Sequence, residues 1–231
     1  MKAQIQYLHH SGFAVKTDHH YLVFDYDGSN PGPDPALLAE PGSVIFVSHR
    51  HEDHYWKDIV SWQKKCKKLQ YVMSHDVPCP KKGGINIYPG ETKTVDGITV
   101  TALTSTDEGV AFLIEADGLT IYHAGDLNWW HWSGESAGYN ANMSKSYRDE
   151  IHKLRGKTID IAFVPVDPRL ERESYLLGLD YLVQMADVKQ IFPMHFGDDY
   201  RIFDWLKGDI KAASYLDRIA VIEKPGQLFQ Y

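Results

Sequence analysis

The sequence predicts an α/β layered domain in which helices cover sheet faces. Three observations carry that expectation. Short runs of β-branched and aromatic residues dominate the first half, turn-forming residues punctuate them, and helical periodicity appears in four later or intervening segments.

The strand candidates are, in order, "AQIQYL", "FAVKT", "YLVFDY", "SVIFVS", "LQYVMS", "GINIY", "ITVTAL", "GVAFLIEA" and "LTIYHA". Between paired runs, "TDHH" at 17–20, "DG" at 96–97 and "ADG" at 116–118 read as hairpin turns, so part of the sheet is antiparallel. The first helix candidate covers 55–69, where Ile59, Trp62, Cys66 and Leu69 recur at three-to-four spacing. The others cover 145–155, 171–186 and 200–213, and the apolar strands "DIAFVPV" and "KQIFPMH" follow the middle two. Residues 126–144, with three tryptophans, form the longest irregular stretch and read as a lid or pocket wall.

A chain of 231 residues with 43% hydrophobic content suits one domain spanning 1–231, with no repeat or composition break to mark a linker. The N-terminal "MKAQIQYLHHSGF" lacks the apolar stretch of a secretory leader, and no segment approaches about 18 consecutive apolar residues. A soluble, cytoplasmic protein without a membrane partner is the expectation. Cys66 and Cys79 suggest neither a disulfide framework nor a thiolate metal site and read as reduced thiols. A formal charge of -7 argues against nucleic acid as a partner and favours a small-molecule substrate. The basic run "KKCKK" at 64–68 reads as the solvated face of a helix. Oligomeric state has no signature.

The chemistry concentrates in "VSHRHEDHY" at 47–55, which places His49, His51, Glu52, Asp53 and His54 within six positions after an apolar strand. Side chains two apart in an extended segment point the same way, so His49 and His51 can serve one ion. Asp53 and His54 can address a neighbouring position. Nitrogen and oxygen donors without thiolate suit zinc, manganese or iron. A lone histidine at a strand end is usually bonded to backbone, but three with an acid in six residues point to metal.

The run from His49 to His54 matches the pattern HxHxDH and resembles the metallo-β-lactamase fold superfamily of metal-dependent hydrolases. "LHHSGFAVKTDHHYLVFDY", "LTIYHAGD" ending in Asp126, "IDIAFVPV" and "IFPMHFGD" carrying His195 agree with it in order, over nearly the whole chain. The "HAGD" and "PMHFG" versions are most similar to the branch containing ascorbate-6-phosphate lactonase.

That resemblance implies an αββα sandwich with one or two divalent ions at one edge of its two sheets, zinc first, manganese or iron as alternatives. By it, His49, His51 and a third histidine hold the first ion, Asp53, His54 and His195 hold the second, and Asp126 bridges them. Such a pair would present a metal-bound hydroxide to an ester, lactone or phosphoester of a small, anionic molecule, with Asp53 also orienting the nucleophile or accepting its proton. The sequence departs from the family at the third histidine, where Thr106 stands within "LTSTDEG". Either the first ion lacks a ligand or an acid replaces it, Asp107 before Glu108; on that reading Asp107→Ala lowers metal stoichiometry. The alternative is that 105–107 simply form a turn.

The resemblance also places His10 in a loop near the site, for substrate contact, support of a ligand, or a plain turn, with His9 a weaker candidate. It places Asp25 where an acid can orient a ligand histidine. His123 reads as supporting or structural, Trp129, Trp130, His131 and Trp132 as pocket wall, and Asp167 as pocket rim or turn cap. His19, His20, His75 and His152 read as surface or turn residues. Two further readings stand beside hydrolysis: a mono-iron oxidoreductase of the same fold, and a degenerate metal-binding protein without catalysis.

Overall fold

In the computed structural model, which describes residues 2–231, the period-two runs become strands of two sheets whose inner faces share one core. The first sheet begins as a meander of β1 (Gln4–His9), β2 (Gly12–Lys16) and β3 (Tyr21–Phe24). After helix α1 (Pro35–Ala39), the strands β4 (Ser43–Val47), β5 (Gln70–Ser74) and β6 (Gly84–Ile87) extend it in parallel from β3. The second sheet is built from β7 (Thr92–Val95), β8 (Ile98–Thr104), β9 (Val110–Ala116) and β10 (Leu119–His123), all antiparallel neighbours. Helix α2 (Ala137–Ile151) leads to β11 (Thr158–Pro165). The short α3 (Glu171–Ser174) and α4 (Leu177–Met185) lead to β12 (Asp187–Met194); β11 adds in parallel to β10, and β12 in parallel to β11. After α5 (Arg201–Gly208), β13 (Leu228–Gln230) returns to pair with β1.

Alternation along the first sheet divides its side chains between two cores. Phe13, Val15, Leu22, Phe24, Val44 and Phe46 face the second sheet. Ala14, Tyr21, Val23, Ile45 and Val47 face outward under α1 and the segment after Tyr55. The second sheet's outer face is covered by α2, α4 and α5 through Tyr147, Ile151, Leu179 and Leu182. The architecture is therefore the αββα sandwich. Each fully buried Phe or Leu in it contributes ~1.5–3 kcal/mol relative to exposure.

All four helical expectations change in extent, the last, over 200–213, shortening to α5 with a separate 3₁₀ turn at Ala212–Ser214. Residues 55–69 form a 3₁₀ helix only over Lys57–Lys64, closing with i→i+3 bonds such as Ile59 N–H to the Trp56 carbonyl. Ile59, Cys66 and Leu69 are nevertheless buried, so the apolar stripe was read correctly while the winding was not. The expected irregular stretch 126–144 ends early, because the Ser136 hydroxyl accepts the Tyr139 N–H and caps α2 eight residues before the predicted helix start at 145. The helix expected over 171–186 is broken into α3 and α4, with Glu171 at φ +60. Among the described residues, no helix is long and apolar enough to cross a membrane, and both cysteines are free thiols.

The parallel strands set the location of the chemistry. β3, β4, β10, β11 and β12 deliver the chain at one sandwich edge, and Asp25, the 48–54 loop, Asp126, Asp167 and His195 follow their C-terminal ends. The β1–β2 turn brings His9 and His10 to the same edge.

Candidate metal centre

Backbone strain marks the edge first. His10, Asp25 and His195 have φ of +50, +41 and +66, a conformation that non-glycine residues rarely hold without support. The His195 N–H donates to the His10 carbonyl at 3.1 Å, which couples two of these positions. The 48–54 loop is clamped by glycine: Gly109 has φ +71, and a Cβ there would stand 1.9 Å from the Ser48 carbonyl oxygen. The Val110 N–H donates to that same oxygen at 2.9 Å.

Three imidazoles converge with a common orientation. His54 Nδ1 lies 2.8 Å from Asp25 Oδ2, and His195 Nδ1 lies 2.9 Å from Asp167 Oδ2. His49 Nδ1 lies 3.0 Å from the Ser48 hydroxyl, which itself donates to Asp25 Oδ2 at 2.5 Å. The acceptors assign an Nδ1–H to each ring, leaving each Nε2 directed inward, where it offers a lone pair once deprotonated. There His49 Nε2 stands 3.4 Å from Asp126 Oδ2, while His54 Nε2 and His195 Nε2 stand 3.3 and 3.2 Å from Asp126 Oδ1. Asp53 Oδ2 stands 3.4 Å from His10 Nε2 and 4.0 Å from His54 Nε2.

The fit to a cation shows in what is left over. The Nε2 atoms of His10, His49 and His54 and Oδ1 of Asp126 are buried without a hydrogen-bond partner. Isolated, each would cost on the order of 1–3 kcal/mol; together they are an arrangement a divalent ion satisfies. Three groups of donor atoms lie mutually within 4.8 Å: His10, Asp53, His54 and His195; His49, His51 and Asp53; and His49, His54 and Asp126.

The electrostatics follow from burial set against close charges. Burial alone would lower the His195 pKa, but its bonds to Asp126 and Asp167 prevail and push it up to about 9. Burial, reinforced by His54, holds His49 down at about 4. Burial also raises Asp126, yet His54, His195 and His49 together hold it well below the usual carboxylate range. Asp53 is lowered chiefly by its contact with His10.

The other expected site residues separate. Asp107 is exposed in the wall of the adjoining cavity, and its carboxylate joins none of the three convergent groups. The carboxylate nearest His51 is that of Glu108, 3.5 Å away and engaged with Arg50. Thr106 is a tie: its hydroxyl donates to the Asn128 carbonyl at 2.6 Å and accepts the Asn128 N–H at 3.0 Å. Trp130 and Trp132 line the cavity with planes 3° apart, but Trp129 does not. Its ring turns instead toward Tyr147 of α2 and Tyr181 of α4, which pack together beside it. His123 is structural, its Nε2–H donating to the Ser11 carbonyl and its ring stacked on Phe24. Asp167 both accepts the Arg169 N–H and orients His195.

Ser48 and Arg169 are contributions that sequence reasoning missed. Arg169 holds Asp167 through Nε and Nη2 and reaches the cavity rim with its side chain 64% exposed. Among the described residues it is the only arginine or lysine lining that cavity of about 240 Å³.

The chain matches the model of a beta-lactamase superfamily domain over residues 4–195. A metal-dependent hydrolase of Exiguobacterium sp. is 26% identical over 209 residues, covering 77% of this chain and 83% of that protein. A metallo hydrolase of the hyperthermophilic archaeon Ignicoccus hospitalis superposes with a TM-score of 0.65 at 20% identity, over 99% of both chains. Isothiocyanate hydrolase from Delia radicum gut bacteria superposes with a TM-score of 0.62 at 14% identity, again over 99% of both.

Proposed function

The chain belongs to the beta-lactamase superfamily, and from that premise we propose that it is a metal-dependent hydrolase acting on an ester, lactone or phosphoester bond of a small anionic molecule. The carrying observation is the shared orientation of His49, His54 and His195, each with Nδ1 engaged by an oxygen and Nε2 turned toward Asp126. Asp25, Ser48 and Asp167 fix ligand tautomers in this arrangement and do not themselves meet substrate.

His49, His54, Asp126, His195, His51 and Asp53 would hold the ion or ions, with zinc the first expectation and manganese or iron accepted by the same donors. When bound, divalent ions supply Lewis acidity and make water nucleophilic near neutral pH. The chain's own residues supply the rest. Asp53 has a side chain 53% exposed and opens onto the cavity, where its carboxylate can orient an entering water and take its proton. Trp130, Trp132 and Met143 exclude water from one side. In the same lining, the Arg169 guanidinium offers an anionic substrate group a charged partner whose direction is fixed by Asp167. The cavity volume lies just below the range usual for ligand sites, which favours a small substrate.

The test is metal analysis of the full chain before and after chelation and reconstitution, with hydrolysis assayed on small anionic lactones, carboxylic esters and phosphomonoesters. Turnover restored by zinc, manganese or iron and abolished in His54→Ala is the expected result. No transition metal after reconstitution, with His54→Ala indistinguishable from the parent, would refute the reading.

A further inference from the structure

The superfamily pattern leaves the His49 and His51 side of this chain's ligand set one histidine short at Thr106, and the fold brings a histidine outside that pattern to the other side. His10 lies 96 positions away in sequence, in the β1–β2 turn, yet its ring centroid is 4.3 Å from that of His195 and 5.6 Å from that of His54. Its Nε2 is buried without a hydrogen-bond partner, and it shares with Asp53, His54 and His195 a group of donor atoms mutually within 4.8 Å.

We propose that His10 is itself a metal ligand in this protein, joining Asp53, His54 and His195 around one ion. The inference rests on the reading of this edge as a metal centre and deepens it by naming a ligand outside the family pattern. Two observations carry it independently.

The first is spacing. Donors about 2.0–2.2 Å from a tetrahedrally held ion stand about 3.3–3.6 Å apart, and no two stand farther apart than about 4.4 Å. The His10 Nε2 to Asp53 Oδ2 separation of 3.4 Å falls in the first range, and the His54 Nε2 to Asp53 Oδ2 separation of 4.0 Å lies under the limit. An ordinary hydrogen bond between His10 and Asp53 would be shorter, and none forms here.

The second is backbone conformation. His10 sits at φ +50, where an imidazole-bearing residue is disfavoured by about 1 kcal/mol or more, and the bond from the His195 N–H to its carbonyl holds it there. A plain turn at this position would be better served by glycine or asparagine. The left-handed conformation instead turns the ring into the group formed by His54 and His195.

The experiment compares His10→Asn with the parent, asparagine being chosen because it tolerates positive φ. Metal-free full chain is titrated with Zn²⁺ against a chromophoric chelator, and with Co²⁺ while its visible spectrum is recorded. Zinc affinity is expected to fall by more than the ~10–100-fold that loss of a supporting partner produces, with a changed cobalt spectrum. On the unmutated chain loaded with ¹¹³Cd, correlations from the metal to the ring protons of His10, His54 and His195 are expected, a measurement that does not depend on the variant folding. Parental zinc affinity in a folded His10→Asn, or cadmium correlations from His54 and His195 without His10, would overturn the proposal and leave the metal centre standing. A parent chain that binds none of these ions would overturn both.

Discussion

Replacing Asp25 by asparagine should weaken metal binding while leaving the fold in place. Asp25 is fully buried and accepts three hydrogen bonds: Ser48 N–H at 2.7 Å on Oδ1, and the Ser48 hydroxyl at 2.5 Å and His54 Nδ1 at 2.8 Å on Oδ2. Asparagine has the same shape and is at ease at φ +41, so the backbone is not newly strained. With its oxygen kept on the Ser48 N–H, however, its NH₂ takes the place of Oδ2 and faces two groups that were donors. His54 Nδ1 must then accept, which moves the ring proton to Nε2. The Ser48 hydroxyl must turn toward His49 Nδ1, 3.0 Å away, which moves that ring proton to Nε2 as well. Two inward lone pairs are replaced by N–H groups from one isosteric change. Loss of one outer partner typically costs ~10–100-fold in metal affinity, so about 100-fold is expected for a partner serving two rings. That is ~2.7 kcal/mol, and metal-induced stabilisation at fixed excess ion should shrink by the same amount. The checks are chelator competition for Kd and denaturant unfolding with and without zinc. A folded Asp25→Asn chain whose zinc Kd stays within about threefold of the parent would refute the tautomer argument.

Two other outcomes follow from the same geometry. Asp107→Ala should leave metal stoichiometry unchanged, because Asp107 joins none of the convergent donor groups; a lost equivalent of metal by elemental analysis would restore it as the replacement ligand. At the opposite end of the sandwich, Asp117 gathers the Thr17 hydroxyl at 2.6 Å, the His19 N–H at 2.9 Å and His20 Nδ1 at 3.0 Å, joining the β2–β3 and β9–β10 turns. Burial alone would raise its pKa, but these bonds prevail and hold it at about 2, below the ordinary 3.8. A depressed acid contributes stability above its unfolded pKa and loses it as pH falls through the folded one. Asp117→Asn should therefore cost about 1–2 kcal/mol at pH 7, with the difference shrinking from about pH 4 toward pH 2. Urea unfolding across that range reads it, and a pH-independent difference would count against the carboxylate's role.

What the sequence disclosed and what it withheld divide by range. The HxHxDH run, the strand order and the hairpin turns at 17–20, 96–97 and 116–118 are local, carried by periodicity and turn chemistry, and they reappear in the structure. Ser48 acts only through a neighbour brought to it by parallel pairing, and Arg169, though bonded locally to Asp167, matters to the site only because the same kind of pairing sets Asp167 against His195. Asp25 meets Ser48 because β3 and β4 pair in parallel, Phe24 opposite Phe46. Asp167 meets His195 because β11 and β12 do the same, Pro165 opposite Met194. No local pattern encodes those registers. β7 and β13 were unreadable for another reason: four and three residues at sheet edges, two of them exposed in each, leave too short a pattern to distinguish from a loop. The start of α2 was legible in principle, since Ser136 is a good cap, but the alanines, asparagines and glycine of its first turns carry little apolar periodicity.

The threonine at 106 links metal count to pocket shape. Its two hydrogen bonds with Asn128 hold the chain immediately before the tryptophans, and Asn128 is itself wedged so tightly that a Cβ on Gly178 would stand 2.0 Å from its Oδ1. A histidine at 106 would release Asn128 and, with it, the segment that places Trp130 and Trp132 against the cavity. The exposed donors are His51 and Asp53, at 46% and 53%, whereas His49, His54 and His195 are buried. The contrast matters chemically, because on the proposed reading the buried imidazoles are preformed, oriented donors while the two exposed donors keep positions accessible to water and substrate. The proposed His10 ligand would add a further buried nitrogen beside His54 and His195. On that reading the buried donors would hold an ion beside Asp126, while His51 and Asp53, together with Trp130 and Trp132, would face what enters the cavity.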